Sequence, residues 1–81
     1  MPSIPYVDIS DNRSVTAVVE LSKASDVMFL DQNNYNKYKA GRDCKYHGGH
    51  YTQSPVRITV SGIGRWFLVV VGSGQYKYSF Q

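Results

Sequence analysis

Ser54-Pro55-Val56-Arg57-Ile58-Thr59-Val60-Ser61, then Gly62-Ile63-Gly64, then Arg65-Trp66-Phe67-Leu68-Val69-Val70-Val71, is the stretch that decides the fold class. In its first part Val56, Ile58 and Val60 alternate with Arg57 and Thr59. That two-residue period places apolar side chains on one face of a strand and polar ones on the other. Its last part is continuously apolar, as expected of a central strand covered on both faces. The Ser61–Gly64 glycine-rich turn between them reads as a hairpin turn.

The same period appears on either side. From Ser14 to Leu21 the residues Val15, Ala17, Val19 and Leu21 share one face. Near the C-terminus Tyr76, Tyr78 and Phe80 point one way and Lys77 and Ser79 the other, after a turn at Gly72–Gly74. Tyr6 to Ile9, behind two prolines, reads as a short edge strand, and Asp11-Asn12 as the turn after it. Lys23–Asp26 form a polar break before Val27–Leu30, a short buried strand.

Asp31 can accept hydrogen bonds from the amides of a first helical turn, so Gln32–Lys39 reads as a short helix closed by Gly41. Its inward stripe would be Tyr35 and Tyr38, with Lys37 and Lys39 outward near the negative end of the helix dipole. Gly48-Gly49, between Tyr46-His47 and His50-Tyr51, reads as a turn or tight loop. The expected architecture is mainly β: a small antiparallel β-sandwich or partly open barrel of five to six strands with one short helical insertion.

Composition sets the bounds. The chain has 81 residues, of which 42% are hydrophobic and 19% charged. That is too apolar for disorder, and one core that buries about 60% of the unfolded chain's surface is all that such a length supports. We therefore expect one β-rich domain over residues 1–81, stabilised by packing and open to homo-oligomerisation. The longest apolar run is far short of the ~20 residues of a membrane helix, and no signal pattern opens the chain. A cytoplasmic location without a membrane partner is expected. Cys44 is the only cysteine, so no internal disulfide can form.

The net charge of +3 is unevenly spread. Lys37, Lys39, Arg42 and Lys45 stand near Asp43 alone, and His47 and His50 can add charge in mild acid. This basic, tyrosine-rich segment from Tyr35 to Tyr51 is the expected working surface. Lysine and arginine neutralise phosphates, tyrosine faces stack on bases, and a Gly-Gly turn lets backbone amides approach an anion. The candidate ligand-binding residues are Tyr38, Lys39, Arg42, Lys45, Tyr46, His47, Gly48 and Gly49. The competing reading is that Tyr35, Tyr38, Tyr46 and Tyr51 pack the helix and loop onto the sheet while the lysines stay solvated.

Other constellations in this segment are weaker. Cys44, His47 and His50 are spaced for one helical turn, but the glycines oppose a helix and no further cysteine or histidine completes a zinc set. Cys44 with His47, or His47 with His50, would make a nucleophile–base or acid–base pair only with an orienting carboxylate, for which Asp43 is the nearest in sequence. Gly62-Ile63-Gly64 and Gly72-Ser73-Gly74 lack the Lys-Ser or Lys-Thr of a phosphate loop. Trp66 reads as a core anchor. No enzyme activity, metal or cofactor is therefore expected.

Val27-Met28-Phe29-Leu30-Asp31, Asn34, Tyr38, Gly41-Arg42, Tyr46-His47-Gly48-Gly49, Ser54-Pro55-Val56 and Trp66 fall in an order that resembles a small bacterial family, the domain of unknown function 1883. The resemblance covers roughly Val15 to Val71. It implies a small β-sandwich-like domain of a kind that sometimes precedes a TIR domain, a module of bacterial immune signalling through nucleotide-derived molecules. Gly72 to Gln81 is shorter than the family's usual turn and strand pair, and no following TIR domain is expected. The resemblance thus suits a binding module for an anionic nucleotide-type signalling ligand, or for nucleic acid, in a bacterial or phage defence or anti-defence setting. The alternatives are a protein–protein inhibitor or adaptor, such as a phage-encoded inhibitor of an immune nuclease, acting through the same surface or an open edge at Tyr76–Phe80, and a small metal-independent nuclease.

Overall fold

The computed structural model describes residues 4–11 and 13–81. The expectations for Met1–Ser3 and for Asn12 in the first turn lie outside these residues. Along the chain run β1 (Tyr6–Ile9), β2 (Ser14–Leu21), β3 (Ser25–Asp31), α1 (Gln32–Lys39), β4 (His47–Tyr51), β5 (Val56–Ser61), β6 (Gly64–Val71) and β7 (Tyr76–Phe80). The strands form a four-stranded sheet ordered β1-β6-β3-β4 and a three-stranded sheet ordered β5-β2-β7, with every pairing antiparallel.

The alternating pattern fixes which face is buried. In the smaller sheet Val15, Ala17 and Val19 stand opposite Val60, Ile58 and Val56, so the apolar sets of β2 and β5 share one face. In the larger sheet Val7, Val27, Phe29, Trp66, Leu68 and Val70 do the same. The two faces meet in one core that includes Ala17, Val19, Val27, Phe29, Ile58, Trp66 and Leu68. The arrangement is therefore a β-sandwich of seven strands among the described residues, the two sheets do not close into a barrel, and the Ser61–Gly64 turn, expected to close a hairpin, instead carries the chain from β5 in one sheet to β6 in the other. The expected five to six strands fall short by β4, whose Gly48-Gly49 pair carries no side-chain alternation to mark a strand.

β6 is central, as its unbroken apolar run requires, and Trp66 to Val69 are all buried. Its inner face holds Trp66 and Leu68. Its outer face holds Phe67, which lies between Leu30 of β3 and Tyr6 of β1 in register and is covered by α1 through Tyr35. The helix is thus a lid on the back of the larger sheet. The polar break before β3 is shorter than expected: Ser25 and Asp26 already belong to the strand, and Ser25 is buried with its hydroxyl donating to the Lys23 carbonyl.

Residues Gly48 and Gly49 correct the expected turn. They sit in the middle of β4, opposite Met28 and Val27 of β3. A β-carbon on Gly48 would lie 2.0 Å from the Val27 carbonyl oxygen, and its φ of +138° is open only to glycine. Glycine is used here for close approach of two strands rather than for a reversal.

Candidate cleft between the helix start and the edge strand

α1 begins where β3 ends. The Asp31 carboxylate accepts from the Asn34 backbone N–H at 2.8 Å, which caps the first turn, and from the Asn34 side-chain amide at 3.0 Å. The other end of that amide points away from the helix: Asn34 Oδ1 accepts from the Lys45 backbone N–H at 2.9 Å. One side chain thereby ties the helix start to the segment leading into β4. The far end of the helix closes as expected. Gly41 has φ +73°, its N–H donates to the Tyr38 carbonyl, and the Arg42 N–H reaches back to the Lys37 carbonyl at 2.9 Å, the paired bonds of a Schellman closure.

These two ends fix the path of the chain from Gly41 to Lys45, and a cleft of about 650 Å³ opens beside it. Asp31, Asn34, Cys44, Lys45, Tyr46, His47 and Trp66 line it. The His47 ring stands 5.8 Å from that of Trp66, tilted by 58°. Tyr46 is 48% exposed, so its ring offers a free face. A second cleft of about 370 Å³, with Lys37, Asp43 and Asn33, shares Asn34, Cys44 and Lys45 with the first.

Of the residues singled out from sequence, Lys45, Tyr46 and His47 come together in the larger cleft. Tyr38, Lys39, Arg42, Gly48 and Gly49 do not line it. Lys39 instead places its ammonium 4.9 Å above the Tyr35 ring, on the side of the helix that faces Phe67. Arg42 is exposed just beyond the helix closure, and the two glycines are paired to β3. Tyr35 packs inward, whereas Tyr38 is 36% exposed; Lys39 is exposed and Lys37 half-buried. Asp31, Asn34, Cys44 and Trp66 are the lining residues not foreseen. The i, i+3 spacing of Asp31 and Asn34 was the available signal, since both can bond backbone groups at a helix start.

The histidines part company. His47 stands opposite Phe29 and His50 opposite Asp26 in the β3–β4 ladder, so alternation places their side chains on opposite faces. His50 Nδ1 pairs with Asp26 Oδ1 at 2.8 Å on the outer face, and Asp43 lies in the second cleft. Among the described residues no three of His, Cys, Asp and Glu stand close enough to hold a metal ion.

The family model of a domain of unknown function, DUF1883, matches residues 6–79. The chain belongs to the DUF1883 family. The match begins at β1 and ends within β7, so the DUF1883 fold here takes in the terminal strands beyond the Val15–Val71 stretch that carries the motif resemblance. β7 is a full partner of β2 in this DUF1883 domain. No curated protein and no solved structure matches the chain. No helix among the described residues is long and apolar enough to cross a membrane.

Proposed function

We propose that this domain is a non-catalytic binding module that captures an anionic nucleotide-type ligand in the cleft between α1 and β4. The observation that carries the reading is the joining of Lys45, Tyr46 and His47 around the Asp31–Asn34 cap in a cleft of about 650 Å³. That size suits a small organic ligand. Exposed aromatic faces at Tyr46 and His47 suit a base, the Lys45 ammonium suits a phosphate, and the amide and carboxylate at the helix start suit the edge of a base or a ribose hydroxyl. Arg42 and Lys37 add positive charge along the approach.

The defence or anti-defence setting and the cytoplasmic location rest on the family resemblance and on the chain's composition. The non-catalytic role is supported by the opposite facing of His47 and His50, which denies one bound substrate both imidazoles.

Calorimetry against cyclic and ADP-ribose-type nucleotides at low salt tests the reading. The expected result is saturable heat that weakens as salt rises and falls about tenfold or more in affinity in Lys45→Ala and Tyr46→Ala, with the ligand recovered chemically unchanged. Absence of heat with every member of the panel overturns it, and a nuclease or immune protein retained from host lysate in its place would favour the inhibitor reading.

A further inference from the structure

We propose that β7 is a pairing edge for a second copy of this chain, with the two β7 strands antiparallel about Tyr78 and the two smaller sheets joined into one continuous sheet. The hydrogen-bond phase of β7 supplies the first argument. Gln81 and Thr16 exchange both backbone bonds at 2.8 Å, and Ser22 donates to the Gln75 carbonyl at 3.0 Å. With the register Phe80 to Ala17, Tyr78 to Val19 and Tyr76 to Leu21, the odd-numbered residues of β7 point their N–H and C=O groups at β2. Tyr76, Tyr78 and Phe80 therefore present theirs to the open side of the sheet.

β7 lacks proline and has no bulge in its register, two of the devices by which edges are ordinarily blunted. A third, an edge lysine, is present once as Lys77, which stands opposite Glu20 of β2. The other edge of the same sheet differs: Pro55 precedes β5, and its inward Val56, Ile58 and Val60 are 3–7% exposed. On β7 the inward Tyr76 and Tyr78 remain 36% and 48% exposed, as a row of rings with Tyr78 5.6 Å from Phe80 and 6.3 Å from Tyr76.

Self-complementarity selects the occupant. An axis at Tyr78 pairs Tyr78 with its own copy and Tyr76 with Phe80 on the aromatic face, and Lys77 with Ser79 on the other. Every outward backbone group of the strand is then used, and no like charges meet. An axis at Lys77 would set two lysines opposite each other, which is unfavourable. An isologous contact of this kind closes as a dimer. None of the residues lining the α1–β4 cleft belongs to β7, so both clefts stay open and this inference stands apart from the proposed ligand.

Sedimentation equilibrium over a micromolar range tests it. Wild type is expected at twice the chain mass of 9.1 kDa. Tyr78→Lys, which sets two ammonium groups opposite each other across the axis, is expected to weaken association about tenfold or more, while Ile63→Lys, at a 70% exposed turn position, leaves it unchanged. Circular dichroism on each variant separates loss of pairing from loss of fold. In a Cys44→Ser background, Tyr78→Cys is expected to form a covalent dimer on mild oxidation and Ile63→Cys is not, because opposed residues of a hydrogen-bonded pair lie ~5.5 Å apart at Cα, within disulfide reach. A wild type monomeric at high micromolar concentration, a dimer indifferent to Tyr78→Lys, or a β7 edge that takes up only a strand of another protein would each overturn the proposal.

Discussion

The ring of Tyr35 lies flat against that of Phe67, with centroids 4.0 Å apart and planes 14° apart. This contact joins the helix to the outer face of the central strand, and the Lys39 ammonium covers the other face of the tyrosine at 4.9 Å. A tyrosine in the segment expected to recognise ligand is thus spent on packing. The helix in turn supplies Asn34, and Asn34 sets the wall of the cleft.

Loss of that stack should loosen the helix. Tyr35→Ala is expected to cost about 2 kcal/mol, since a half-buried ring and its aromatic pairing are both removed. Thermal unfolding should fall by about 8–16 °C for a domain of this size. Tyr35→Phe keeps the stack and should melt close to wild type.

The bridge from Asn34 to Lys45 can be tested without unfolding the protein. Asn34→Ala removes the acceptor of the Lys45 N–H and the amide donor to Asp31. Hydrogen exchange at the Lys45 amide should speed up about fivefold, corresponding to one lost bond of ~1 kcal/mol. The amides of the β2–β5 ladder should exchange at an unchanged rate.

Two glycines should respond differently to the same change. Gly41→Ala meets open space at φ +73° and should cost only the ~1–2 kcal/mol of a left-handed residue. Gly48→Ala drives a methyl group into the Val27 carbonyl at 2.0 Å. Its expected cost is the larger of the two, above ~3 kcal/mol, because strand separation adds to backbone strain. Urea midpoints of the two variants decide the order.

On the outer face, Arg65 Nε donates to the Asp8 carboxylate at 2.8 Å, and the guanidinium sits 4.2 Å from the Tyr6 ring. The hydrogen bond from Arg65 holds the Asp8 carboxyl below its usual range. A carboxyl with a lowered folded-state value stabilises the fold above its unfolded value, and that contribution is lost as pH falls through the lowered one. The destabilisation of Asp8→Asn relative to wild type should therefore be present at neutral pH, begin to shrink as pH falls to about 4, the ordinary carboxylate range, and vanish only below the lowered folded-state value. Both groups are exposed, so the effect should be small and should shrink with added salt. Urea midpoints across that window, at low and high salt, measure it.

The sequence by itself determined the strands that obey a two-residue period, the unbroken central strand, and both ends of the helix. Each depends on local chemistry: alternation at Val15 to Leu21 and Val56 to Val60, the carboxylate at Asp31, the glycine at Gly41. It also placed Lys45, Tyr46 and His47 in the segment that borders the cleft. Tertiary structure decided the rest. Gly48-Gly49 carries no side-chain pattern, so only the approach of the Val27 carbonyl shows that it is strand. Tyr35 and Tyr38 read alike along the helix, yet Phe67 claims one and leaves the other 36% exposed. The meeting of Asp31, Asn34 and Trp66 with Lys45 to His47, and the open side of β7, arise from elements distant along the chain. They follow from which strands neighbour which, and a local pattern of residues does not encode that.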